Sequence, residues 1–286
     1  MRILLPTLLI LGMAALPASA ETAHREWLTS VDEALDQAGE NEQRILVDLY
    51  ADWCGWCKRL EEDVFSTPTF KEFSKDLVLL RVDTEDGAEG SRLQERFEAF
   101  SLPTTLVLDH QLAMIAKVEG YAPAPQYVAT IEREVTSYDE LIRGYRKFGE
   151  SDDLRVLGVL ADEFHRRNDG TRAADLYRRM IAIDQLAPDK TVRIQYQLTD
   201  ALRLAARYEE AFEVLPRARQ SAGQIGDTSL VERFELLAAQ ISLDSGDCDK
   251  ARLVLEDFLG NYPSSDLVKM ARRTLRTLMS EGYQCT

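Results

Sequence analysis

The stretch Trp53-Cys54-Gly55-Trp56-Cys57-Lys58 constrains this chain more than any other. It lies between an apolar, strand-like run, Ile45-Leu46-Val47-Asp48-Leu49-Tyr50-Ala51, and a helix-like run that begins Lys58-Arg59-Leu60-Glu61-Glu62. A strand that turns through Cys-x-x-Cys into a helix sets its first thiol over unpaired backbone N–H groups and the positive end of the helix dipole, where a thiolate is favoured. Two intervening residues let the second thiol reach back and close a disulfide. The pair is then a reversible two-electron switch that needs no cofactor. On this reading Cys54 is the nucleophile, with its thiol pKa lowered, and Cys57 is the resolving thiol. A structural disulfide and half of a zinc site are the other readings of the pair. Zinc would need two further ligands, and His24, His110 and His165 show no ligand spacing, so no metal is expected.

Asp48, Trp53, Cys54, Gly55, Cys57 and Lys58 fall where members of the thioredoxin superfamily carry their equivalents, and the chain resembles that family from about Trp27 to Val135. Leu102-Pro103-Thr104-Thr105 ahead of the apolar run Leu106-Val107-Leu108 is a second mark, and Gly120 after Val118-Glu119 a third. The stretches Cys57-Lys58-Arg59-Leu60-Glu61 and Val64-Phe65-Ser66-Thr67-Pro68 look like the periplasmic C-terminal domain of the transmembrane thiol–disulfide interchange reductases. The departure is Trp56, where thioredoxin has proline, and it leaves the direction of electron flow open.

The resemblance implies roles. Asp48 would be buried beneath the disulfide and assist proton transfer at the resolving thiol, work that suits a carboxyl whose pKa burial has raised. Pro103 would be cis beside the disulfide, with Leu102 facing a substrate that pairs along the adjacent backbone as an added strand. From the residues themselves, Trp53 and Trp56 flank the reactive thiol, and aromatic surface there could grip an apolar peptide segment. Packing within the scaffold explains Trp53 equally well.

The apolar and polar runs order as β-α-β-α-β-β-α up to about residue 135, with helices reading over 27–38 and around Leu93, Phe97 and Phe100. Strands read over Leu77–Asp83, Thr104–Leu108 and Leu112–Val118. Beyond Thr136 strand-like runs vanish and helical pairs follow. Three turns look alike: Asn168-Asp169-Gly170, Ala206-Arg207-Tyr208 and Ser245-Gly246-Asp247. Each precedes a small residue just inside the next helix, Ala174, Ala211 and Ala251, spaced 37 and 40 residues apart. The pattern resembles tetratricopeptide-type repeats with a period longer than the usual ~34; a non-repeating helical bundle is the alternative. The expected fold is an α/β thioredoxin-like domain, a mixed central sheet with helices on both faces, followed by an all-α helical-repeat domain. The expected divisions are 1–20, 21–148 and 149–286, with the junction at Phe148-Gly149-Glu150-Ser151 and Ser151 as the cap of the next helix.

Residues 1–20 read as a secretory signal peptide. Met1-Arg2 precedes a short apolar run broken by Pro6 and Gly12, and Ala18-Ser19-Ala20 fits a cleavage site. An uncleaved membrane anchor is the rival, but the run falls short of the ~20 residues needed to span. Export makes a second disulfide between Cys248 and Cys285 the expected use of the remaining cysteines, closing a loop worth about 4 kcal/mol by chain entropy. A relay of that pair with Cys54 and Cys57 has no support in the sequence.

The formal net charge is −15. Residues 1–150 hold 15 Lys and Arg against 27 Asp and Glu, whereas residues 151–286 hold 19 against 22. This acidity argues against a nucleic-acid partner. It serves solubility, or a preference for basic partners around the active site. The expected activity is that of a periplasmic protein-disulfide reductase, kept reduced by a membrane or periplasmic electron donor, with protein thiols as clients and a protein partner on the helical domain. A disulfide oxidase or isomerase, and a helical binding or assembly module with a secondary redox site, are the alternatives.

Overall fold

The structure, a computed structural model, describes residues 26–183 and 186–280. The expected leader 1–20 and Cys285 lie outside the described residues. The N-terminal half is built on a four-stranded sheet of order β2-β1-β3-β4. Its strands are β1 (Arg44–Tyr50), β2 (Leu77–Asp83), β3 (Thr104–Leu108) and β4 (Met114–Glu119). β1 runs parallel to β2 and antiparallel to β3, which pairs antiparallel with β4. Five consecutive residues of the central β1 are buried, as a strand covered on both faces requires.

Alternation along β1 sorts its side chains between two cores. Ile45, Val47 and Leu49 point to the side covered by α1 (Val31–Asn41) and α4 (Glu89–Arg96). Leu46 points to the opposite side, covered by α2 (Gly55–Leu60), α3 (Pro68–Phe73) and the start of α5 (Ala124–Phe148). Asp48 lies two residues on from Leu46 and so shares that second face.

Three local boundaries differ from the sequence expectation. The first helix starts at Val31 rather than Trp27, because Ser30 caps it through the Glu33 N–H. Leu28 instead bridges the free edge of β2, donating to the Leu79 carbonyl and accepting from the Arg81 N–H, both at 2.8 Å. Trp27 packs on Phe65, with ring centroids 5.1 Å apart. β4 starts at Met114 rather than Leu112, because Leu112 takes a positive φ of 62° in a turn closed by Asp109, whose carboxylate accepts the Gln111 and Ala113 N–H groups. Phe100, expected on a helix, lies exposed in the loop after α4.

The C-terminal half is helical: α6 (Leu154–Arg166), α7 (Gly170–Ala182), α8 (Pro188–Leu204), α9 (Tyr208–Gln224), α10 (Thr228–Asp244), α11 (Cys248–Asn261) and α12 (Val268–Leu278). The three look-alike turns have one geometry. Asn168, Ala206 and Gly246 take positive φ, and the following N–H reaches back five residues, from Asp169 to Phe164, Arg207 to Leu202 and Asp247 to Ser242. Ala174, Ala211 and Ala251 are fully buried just beyond. The helix after the junction is capped by Asp153, not Ser151; the Ser151 hydroxyl accepts the Asp153 N–H.

The two halves share α5, whose 25 residues extend about 37 Å. Tyr127, Val128 and Ile131 pack on the sheet, while Leu141, Ile142 and Tyr145 pack against the helical core. The α6–α7 turn docks on the open edge of the sheet. The Arg167 carbonyl accepts the Met114 N–H at 2.6 Å, and its guanidinium donates to the Ile115 carbonyl at 2.8 Å. Arg96, at the end of α4, donates to the Leu204 carbonyl at 3.0 Å. Among the described residues no helix is long and apolar enough to cross a membrane.

Candidate redox site

Cys54 is the N-cap of α2 and is joined to Cys57 by a disulfide, with Cα atoms 5.3 Å apart. The Cys57 N–H points at the Cys54 Sγ, 3.1 Å away, so the first sulfur occupies the position where a helix start favours negative charge. The helical path continues beyond Leu60 as a π-turn over Glu61–Phe65, where the Ser66 N–H bonds the Glu61 carbonyl. Both cysteines are buried with Ala51, and Leu102 packs against them. The Leu102–Pro103 peptide is cis, and the Pro103 carbonyl accepts the Gly120 N–H at 2.8 Å. Gly120 has a φ of 83°, a conformation that favours glycine.

The side chain of Asp48 is 1% exposed, and its pKa is pushed up to about 7. Burial is the main cause; the Arg81 guanidinium opposes it, and the Glu61 carboxylate adds to it. Arg81 lies directly across β1 and β2 from Asp48. Its Nε sits 3.3 Å from Asp48 Oδ2 as a charge contact, without hydrogen-bond geometry on either atom. The same guanidinium pairs with Glu61 at 2.9 Å and stacks over the Tyr50 ring. Glu61 is exposed, one helical turn beyond Cys57. A chain of charge thus runs from the buried carboxyl to the surface beside the active-site helix. Nothing in the sequence reading singled out Arg81; the available signal was a lone cation interrupting the apolar run Leu77–Val82.

Around the disulfide the surface is aromatic. Trp53 is 68% exposed and Trp56 55% exposed, so neither is a core side chain. The indole N–H of Trp53 donates to Glu85 at 2.8 Å. Trp56 leans on Tyr121, with ring centroids 5.5 Å apart, and the Arg59 guanidinium covers both rings. Tyr121 donates to Asp63, which also pairs with Arg59. This fixes an aromatic wall on one side of the cysteines.

Cys248 opens α11 beside its cap Asp247 and is not a free thiol; its expected partner Cys285 falls outside the described residues. His165 sits between Tyr177 and Asp200, with its ring nitrogens 3.2 and 2.8 Å from them. Among the described residues no three metal-ligating side chains converge.

Residues 26–110 match the family described as thioredoxin-like. Over 108 residues the chain is 34% identical to the thiol:disulfide interchange protein DsbD of Ralstonia nicotianae, a match spanning 37% of this chain and 18% of that one. Over 95 residues it is 40% identical to the same-named protein of Pseudomonas fluorescens, spanning 31% of this chain and 16% of that one. The match therefore spans less than a fifth of the length of these relatives. Among solved structures, the oxidised C-terminal domain of Neisseria meningitidis DsbD aligns with a TM-score of 0.33 at 18% identity, covering 38% of this chain and 99% of that domain. Residues 26–110 are thioredoxin-like and similar in sequence to these interchange proteins.

Proposed function

We propose that this protein is an exported thiol–disulfide oxidoreductase that reduces protein disulfides through Cys54 and Cys57. The observation that carries the reading is the disulfide at the start of α2, with Cys54 as the cap and Leu102 of the cis-proline loop packed against the pair.

In the reduced protein the Cys54 thiolate attacks one sulfur of a client disulfide. That S–S bond breaks, a mixed disulfide forms, and the departing client sulfur leaves as a thiolate that takes up a proton. Cys57 then loses its proton and attacks the Cys54 sulfur. The second client thiol leaves, and the Cys54–Cys57 disulfide closes. The client has gained two electrons and two protons. Asp48, with a pKa near 7, is suited to accept the Cys57 proton as that thiol attacks and to return it on re-reduction. Trp53, Trp56 and Leu102 form the surface that a client meets, and the backbone beside Pro103 offers it strand pairing.

The chemistry requires no dissociable cofactor. It does require a source of two electrons per turnover, which we assign to a membrane or periplasmic donor. The leader-like residues 1–20, a thioredoxin-like unit over 21–148 and a tetratricopeptide-type array over 149–286 complete the reading. The three equivalent turns support the array, and its surface is assigned to protein partners. Cys248 and Cys285 form the structural disulfide in this scheme.

The test pairs insulin-disulfide reduction with the equilibrium potential of Cys54–Cys57. Wild type reduces insulin, and Cys54→Ser loses the activity by at least a hundredfold. A potential near about −270 mV supports the reductase; a value between about −180 and −120 mV makes the protein an oxidant or isomerase instead.

A further inference from the structure

The last helix of the array departs from the charge pattern of the rest of the chain. α12 carries Lys269, Arg272, Arg273 and Arg276 and no carboxylate, in a protein of formal net charge −15. At 3.6 residues per turn the four cations fall within an arc of about 100°. Ala271, Leu275 and Leu278 lie on the opposite side and pack against Leu255 and Phe258 of α11. The cationic stripe therefore lies on the exposed side of the helix, away from its contact with α11.

All four cations are exposed, and none pairs with a carboxylate among the described residues. Arg276 bonds only the Arg272 carbonyl, at 3.3 Å. Most other arginines are used differently: Arg166, Arg167, Arg172, Arg178, Arg179 and Arg203 each hold a carboxylate. Met270 and Met279 flank the stripe on either side, and both are exposed.

We propose that the outer face of α12 is a docking surface for an anionic lipid bilayer. The charge pattern selects this occupant: the stripe lies on the face of α12 turned away from α11, where one flat anionic surface meets all four cations at once. The chemistry agrees, since anionic headgroups complement arginine and lysine, and two flexible thioether side chains can enter the interface beside them. The acidity of the protein does not oppose it. Most of the excess of carboxylates sits in residues 1–150, α12 itself carries none although the rest of residues 151–286 is acidic, and the Debye length in physiological salt is about 8 Å. Docked in this way, the helical half would hold the redox domain beside a membrane.

The full chain would be sedimented with vesicles of equal phosphatidylglycerol and phosphatidylcholine, and with phosphatidylcholine alone. A variant with Lys269, Arg272, Arg273 and Arg276 all changed to Gln would be compared with one in which Lys71, Arg133, Lys190 and Arg217, exposed elsewhere, are changed in the same way. Circular dichroism establishes that both fold. The expected result is binding to anionic vesicles only, at least tenfold weaker for the α12 variant, near wild type for the control, and lost between about 0.02 and 0.5 M salt. Equal loss in both variants would make net charge the cause and overturn the proposal. So would an absence of vesicle binding, whether or not the stripe instead drives salt-sensitive self-association. Insulin reduction is read separately: docking without reduction upholds this inference and removes the redox reading, and reduction without docking does the opposite.

Discussion

A carboxyl with both oxygens buried and neither hydrogen-bonded is costly to ionise, and Asp48 is held in that state by the strand it occupies. Its folded pKa of about 7 stands above the ordinary value of 3.8. Between those values the native state binds a proton that the unfolded chain has released, so stability falls as pH rises from about 4 to 7. Asp48→Asn removes the term. The variant is expected to gain on wild type across that window, by a few kcal/mol at pH 8 by linkage and by little at pH 4. Urea denaturation of the oxidised proteins at the two pH values measures the difference, and an equal gain at both would assign the effect to packing. Asp48 was legible in the sequence because an acid inside an apolar strand is conspicuous. Arg81 was not, because it lies 33 residues away and only the β1–β2 register brings it opposite. Trp53 could not be divided between core and surface by sequence, since either packing or client binding explains an aromatic there; its exposure and its bond to Glu85 place it on the surface.

The three helical hairpins show how much a turn's sequence dictates. Asn168, Ala206 and Gly246 occupy equivalent left-handed positions, yet alanine bears a Cβ penalty there that glycine avoids. Gly170, two residues further on in the first hairpin and the first residue of α7, is needed for a different reason. A Cβ on it would lie 2.3 Å from the Ala201 carbonyl oxygen and 2.5 Å from the Ala205 nitrogen, where α7 meets the end of α8. Gly170→Ala therefore forces backbone apart and is expected to cost about 1–3 kcal/mol, whereas Ala206→Gly is expected to stabilise by about 1 kcal/mol. Thermal melts of the two single variants should move in opposite directions; a shift the same way would show that the two turns are not governed by these local contacts. The pairing of helices could be read from the alanine spacing, because a fully buried small residue recurs wherever two helices touch. Helix starts were less legible at Trp27 and Ser151. A nearby polar residue, Ser30 or Asp153, offers the better cap, and the choice between neighbouring caps depends on what the preceding chain can pair with.

Over the whole molecule, the sequence separates two domains because strand-like runs give way to helical pairs beyond Thr136, and it puts the junction at Phe148–Ser151 because a glycine there meets a capping serine; those signals carry no information about contact across the junction. Three features couple the halves: α5 belongs to both cores, the Arg167 backbone and guanidinium hold the start of the edge strand β4, and Arg96 reaches from α4 to α8. Arg167 is buried, and it also pairs with Glu163 at 2.7 Å, so Arg167→Met leaves the Ile115 carbonyl and part of the Glu163 carboxylate without their donor. Loss of such buried charged bonds costs about 3–5 kcal/mol. If coupling through these contacts exceeds the stability of the weaker half, calorimetry of wild type gives one transition with equal calorimetric and van 't Hoff enthalpies. Arg167→Met then separates it into two, with the helical half and the redox half melting apart. Amide exchange along α5 locates the break, since the residues that pack on the sheet would keep their protection while those after Tyr138 lose it with α6. Two transitions already present in wild type would mean that α5 is a tether rather than a beam, and that the redox site is positioned independently of the helical array.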